Sequence, residues 1–233
     1  MTNNRVRHIV AFLTLAFLVS TTCYALDFSN HNFSIGAKGG MSLSRVNFQS
    51  SVPQKLLGGM VLGASVRYIE ENHFGLIGEV NLEQRGWKED FTPLQGYSYN
   101  HQLTYIQIPL LTHIYFGSDK ARFFFNAGPE IGFMIGSKTS SNFDYEHASD
   151  IEEIANSYRK TEQFTLPIDH KFDYGISAGL GMEVNIAPRH ALNLEGRFYY
   201  GLNDIFNNHK TDPFQGSNSM SIMLTLGYNI RLK

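Results

Sequence analysis

From Met220 to the end of the chain, apolar and polar residues alternate. Met220, Ile222, Leu224, Leu226, Tyr228, Ile230 and Leu232 share one phase, and Ser221, Met223, Thr225, Gly227, Asn229 and Arg231 share the other. A period of two over this length predicts a strand with one apolar face. The pattern recurs in Phe172–Ile186 and in Leu192–Leu202, where Asn193, Glu195, Arg197 and Tyr199 occupy the second phase. Noisier copies occupy Phe33–Ser44, Leu57–Glu70, Phe74–Lys88, Leu103–Phe116 and Ala121–Gly136. About eight strands result. Most exceed the five or six residues typical of soluble strands and suit a tilted membrane crossing of about 9–11 residues.

The connections alternate in length. Short turns are expected at Glu71-Asn72-His73, Gly117-Ser118-Asp119-Lys120 and Ala187-Pro188-Arg189-His190, and longer polar loops at 46–56, 89–100, 137–168 and 204–217. Tight periplasmic turns and free surface loops produce this rhythm. An all-β, eight-stranded antiparallel up-and-down transmembrane barrel follows, closed because hydrocarbon tolerates no open strand edge. Within the longest loop, Ser149-x-x-Glu152 has the form of a capping box, and Ile151, Ile154, Ala155 and Tyr158 follow at helical spacing. A short amphipathic helix lying on the rim is expected there.

The N-terminus fits export. Arg5, Arg7 and His8 precede an apolar run from Ile9 to Val19, and Cys23-Tyr24-Ala25 offers a small-residue cleavage site. Residues 1–25 are assigned to a signal peptide and 26–233 to the barrel, in the outer membrane of a Gram-negative bacterium. Ser20-Thr21-Thr22 is a poor lipobox before Cys23, and cleavage after Ala25 leaves a chain without cysteine, which excludes a disulfide scaffold. Lys+Arg 19 against Asp+Glu 21 provides no basic field for nucleic acid.

Alternation alone does not say which face points outward, and a soluble lipocalin-like barrel would place the apolar phase inside. Two features favour lipid outside. The polar phase is rich in Gly and Ser, which suit a narrow lumen, and it collects charges at mid-strand: Lys38, Arg67, Glu79, Glu83, Arg122, Glu130, Glu183, Glu195 and Arg197. A cation facing lipid at the midplane costs roughly 2–4 kcal/mol, whereas inside it can pair. These residues are expected to form a structural ion-pair network, since eight strands leave an interior just wide enough for side chains.

The segments FSIGAKGGMSLS, GGMVLGASVRYI, TYIQIPLLTHIYFG, FFFNAGPEIGFMIG, FDYGISAGLGMEV and GYNIRLK resemble the PorT-type outer-membrane barrels common in Bacteroidetes. The resemblance runs from about Phe33 to the end and is clearest in IQIPLL and NAGPEIG, whose Gln107, Pro109 and Glu130 fall in the lumen phase. It implies an eight-stranded outer-membrane barrel and little about activity. Lys233 departs from the aromatic residue common at the end of outer-membrane barrels.

Little catalytic chemistry is visible. Of nine histidines, His31, His73, His101, His113, His170, His190 and His209 are scattered, without a zinc-like spacing. Asp169-His170-x-x-Asp173 reads as a solvated strand mouth more readily than as a cation site. Ser98 and His101 are the one candidate pair for a rim lipid A hydrolase, without a nucleophile elbow to support them. No catalytic residue, cofactor or metal is assigned. The leading expectation is a non-catalytic barrel, embedded in outer-membrane lipid, that presents loops or joins an envelope assembly through 137–168. A small passive channel is the alternative.

Overall fold

The structure, a computed structural model, describes residues 32–71, 73–94, 96–157, 159–207 and 212–232. The expected signal peptide with Cys23, and also His31, Tyr158, His209 and Lys233, lie outside the described residues.

Eight long strands form the wall: β1 (Asn32–Gln49), β3 (Leu57–Glu71), β4 (Phe74–Glu89), β5 (Tyr99–Gly117), β6 (Ala121–Ser141), β7 (Phe172–Ala187), β8 (His190–Asp204) and β9 (Gly216–Arg231). A two-residue strand, β2 (Gln54–Lys55), adds to the loop end of β4. Each long strand pairs antiparallel with its sequence neighbours, and β1 pairs with β9 from Ser34↔Arg231 to Gln49↔Gly216, which closes the ring. No barrel edge is left to be solvated by lipid. Pro109, which has no N–H to donate, lies where the β4–β5 pairing is interrupted, without change of register, between Gly78↔Leu110 and Asn81↔Gln107.

Tight turns gather at one end. His73 there adopts φ 80°. Gly117 has φ 138°, and a Cβ on it would come within 2.5 Å of the Ala121 carbonyl, so the turn into β6 requires glycine.

The apolar phase faces outward. Leu180 is 69% exposed and Leu226, Ile176 and Leu62 more than half exposed, whereas Ser177, Glu83 and Gln107 are fully buried. The lipocalin-like arrangement is thus reversed in this barrel.

Several strands run further than the alternation indicated, because the pattern inverts near the loop end. There the inward residues become apolar (Val46, Phe48, Trp87, Tyr99, Leu103), and their outward neighbours polar (Arg45, Asn47, Lys88, Asn100, Gln102). β1 therefore continues to Gln49, β5 begins at Tyr99 and β6 reaches Ser141. The inversion marks where the outer wall leaves the apolar band.

Nor are the loops free. Phe48, Trp87, Phe91, Tyr99, Ile154, Phe164, Ile205, Phe206 and Phe214 belong to one buried cluster over the mouth. The helix of the longest loop is a single turn, α1 (Glu152–Ala155), capped by Ile151 rather than Ser149, whose hydroxyl points to Asp150. The capping box does not form, and Ile154 is fully buried in the cap instead of resting on the rim.

Candidate functional site

The lumen carries two layers of charge. In the layer nearer the turns, Glu79 accepts Lys38 Nζ at 2.6 Å, Arg197 at 2.6 and 2.9 Å, and Asn81 Nδ2 at 3.0 Å. Arg197 also donates to Glu195, which accepts Asn126 Nδ2 at 2.9 Å. His113 Nδ1 sits 2.7 Å from the other end of Asn126. Arg67 bonds Glu183, which Arg231 approaches at 3.4 Å. Charges deprived of water need such multiple partners.

In the layer nearer the loops, Arg85 pairs with Asp173 at 2.6 Å and Glu83 at 3.6 Å. Its guanidinium lies between the rings of Tyr105 and Tyr199, 3.9 and 4.5 Å from their centroids. Gln107 donates to Glu83, and Ser177 donates to Glu130. Arg85, on β4, thus reaches across the bore to β7 and β8.

Eight of the nine charges singled out from the sequence line this interior. Arg122 is the exception: it sits at the turn end, 21% exposed, 3.7 Å from Asp119 and over the Tyr115 ring. Its position follows from being one residue into β6, where the lumen opens. Arg85 and Asp173 were missed as members of the network. Arg85 shares the parity of Glu79 and Glu83, and that signal would have found it. Asp173, expected at a solvated mouth with Asp169 and His170, is buried against Arg85. Asp169 instead accepts Asn207, and His170 faces the Asp204 carbonyl. Among the described residues no group of metal-ligating side chains converges.

Above Arg85 the cap seals the mouth. The Phe48 ring meets Trp87 edge-on at 5.6 Å and Phe214 at 4.9 Å, and Trp87 stacks on His101 at 4.6 Å. The long loop is latched by Arg159, which pairs with buried Glu89 at 2.8 Å, donates to the Asp90 carbonyl at 2.8 Å and covers the Phe91 ring at 4.1 Å. Gln163 reaches the second Glu89 oxygen at 3.0 Å. At the solvent surface the Thr92 hydroxyl, then Lys55, hold the Asp90 carboxyl down at about 2. A hydrogen bond donated to the Asp144 carboxylate raises His147 above the ordinary imidazole value.

Ser98 and His101 are not brought together. The Ser98 N–H donates to Asn142, whereas His101 Nε2 lies 2.7 Å from Ser137 Oγ. A bulge at Ile135, between the pairs Tyr105↔Met134 and Thr104↔Gly136, turns Ser137 inward. The other His101 nitrogen faces the hydroxyls of Tyr99 and Thr139, at 3.4 and 3.3 Å, and among the described residues no carboxylate.

A closed antiparallel ring, apolar outside and ion-paired inside, is the architecture of a membrane barrel. The family described as outer membrane protein beta-barrel domain matches residues 24–207. The chain belongs to that family. It is an outer-membrane protein of a Gram-negative bacterium, and its turn end faces the periplasm. No curated protein matches this outer-membrane barrel. Among solved structures, it is similar to Neisserial surface protein A at 13% identity, covering 86% of this chain and 97% of that one, with a TM-score of 0.45. OprG from Pseudomonas aeruginosa is 10% identical over 85% of this chain and 95% of its own, TM-score 0.48. Ail of Yersinia pestis is 14% identical over 84% and 98%, TM-score 0.41.

Proposed function

We propose that this outer-membrane barrel is a non-catalytic, PorT-type member of the family, of Bacteroidetes origin, whose latched cap serves as a docking face in an envelope assembly. The latch carries the reading. Arg159 and Gln163 tie the longest loop to Glu89 at the mouth, so the loop is held as a shaped surface. Its exposed residues include Asp144, Glu146, Asp150, Glu152 and Glu153, which suit a partner with a basic contact surface. The IQIPLL and NAGPEIG segments support the PorT-type assignment.

A channel is the weaker reading, because Arg85 between two tyrosine rings and the aromatic cap both obstruct the bore. Planar-bilayer recordings of the refolded protein are expected to show no unitary conductance. Cross-linking in intact cells should recover a stoichiometric partner, and changing Glu146, Asp150 and Glu152 to Lys should lower its recovery about tenfold. Undiminished recovery with a folded barrel would sink the docking reading, and regular conductance steps would favour the channel.

The non-catalytic reading has its own check. His101 is stacked on Trp87 and lacks a carboxylate to orient it, which suits packing better than general-base work. Cells carrying Ser137→Ala or His101→Gln should contain lipid A with unchanged acylation, as judged by mass spectrometry. A change in acylation specific to these variants would restore the enzyme alternative.

A further inference from the structure

The outward face of β1 changes character between Leu43, exposed in the apolar band, and Arg45, exposed two residues further on. Two residues advance about 7 Å along a strand. At a tilt of about 40° that is about 5 Å along the membrane normal. The polar headgroup layer on each side of a bilayer has a similar depth, roughly 5–7 Å. Arg45 therefore stands at headgroup height, on the wall that faces lipid rather than the lumen.

Below it lies a cleft of about 150 Å³, walled by Leu43, Leu56, Phe198, Met220 and Ile222. Leu56, just before β3, is half exposed and overhangs this part of the wall. Arg45 lies at the polar edge of an otherwise apolar furrow.

Lys55 and Lys88, on β2 and β4, are likewise exposed toward the loop end on the side of the ring that holds β1, whereas exposed Lys138 and Lys171 belong to β6 and the approach to β7, across the ring from it. Lys55 and Lys88 stand directly opposite each other in the β2–β4 pair, an arrangement that is unfavourable unless an anion lies near. Lys55 is paired with Asp90 at 2.9 Å; among the described residues, no carboxylate pairs with Arg45, Lys88, Lys138 or Lys171. The exposed carboxylates named above for the docking face lie on the long loop.

We infer that Arg45 and the cleft beneath it form a binding site for a phosphorylated lipid of the outer leaflet. The phosphate would sit on the Arg45 guanidinium and one acyl chain would lie against Leu43, Leu56 and Met220. A planar guanidinium can grip phosphate through two parallel hydrogen bonds, which a lysine cannot reproduce. The lysines around the rim supply a weaker, less directional field. This inference rests on the outer-membrane placement alone and is independent of the docking reading.

The test uses the full-length barrel in detergent, with bound lipid counted by native mass spectrometry. Its probes are bisphosphorylated lipid A, enzymatically dephosphorylated lipid A, and inorganic phosphate. Wild type is expected to retain one lipid A and to lose about tenfold in retention when the phosphates are removed. Arg45→Gln, at an exposed position where folding is not at stake, should fall to that lower level, and Arg45→Lys should lie between. Inorganic phosphate at millimolar concentration should not displace the lipid, because the acyl contacts are missing from it. Equal retention of both lipids, undiminished binding by Arg45→Gln, displacement by inorganic phosphate, or no retention by wild type would each overturn the proposal. Unchanged heat-dependent gel mobility across the variants shows that binding, not folding, is being read. Partner recovery in cross-linking remains a separate readout, so failure here leaves the docking reading intact.

Discussion

Replacing Arg197 with Met is expected to destabilise the folded barrel by about 3–5 kcal/mol, the range found when one partner of a buried pair is removed. Arg197 holds two carboxylates at once, Glu79 at 2.6 Å and Glu195 at 2.9 Å, in a lumen where neither residue reaches water appreciably. Lys38 remains on Glu79 in the variant, but Glu195 keeps only the Asn126 amide. Equilibrium urea unfolding in lipid vesicles, followed by the shift between folded and unfolded gel mobility, reads this cost. Adding Glu79→Gln and Glu195→Gln to Arg197→Met should recover much of it, because the uncompensated charges are then gone. A loss below about 1 kcal/mol for Arg197→Met alone would mean that water enters the lumen and solvates the carboxylates, as for an exposed pair.

Trp87→Ala is expected to cost about 3–5 kcal/mol, the usual range for truncating a buried tryptophan. The loss should be felt chiefly in the cap. Trp87 joins the edge of Phe48 to the face of His101 and the ring of Phe206, so its removal leaves a void between the strand walls and the loops. Local opening then becomes easier without the ring of strands coming apart. Limited proteolysis is the direct measurement: nicking within 142–171 should accelerate at least tenfold, while β1 and β3–β9 stay protected. An unchanged nicking rate would mean that the Arg159–Glu89 latch, not the aromatic cluster, holds the loop down.

Much of the wall was legible because a strand half in lipid must alternate. In Phe172–Ile186 and in the run from Met220, the side of every large apolar residue could be read from parity alone, and the observed exposures follow that parity. The inward charges were legible for the same reason, as cations and carboxylates among small residues. Arg85 carries the same signal, since it shares the parity of Glu83 and is buried with it. The loops were a different matter. Their apolar residues, such as Phe143, Ile154, Phe164, Phe206 and Phe214, are too irregularly spaced to announce a common cluster.

Sequence alone determined the strand count, the alternation of short and long connections, the outward apolar face and the inward charges, because each follows from local periodicity and the cost of an exposed charge or strand edge in hydrocarbon. Only the tertiary structure decided which charges meet, since Glu79 and Arg197 are 118 residues apart and touch across the bore. It also decided that the pattern inverts at the mouth, where the inner wall packs against loops instead of water. The bulge at Ile135, which brings Ser137 rather than Ser98 to His101, depends on the pairing of β5 with β6. Closing the ring sets these relations, because only then does each inward side chain acquire neighbours from distant strands.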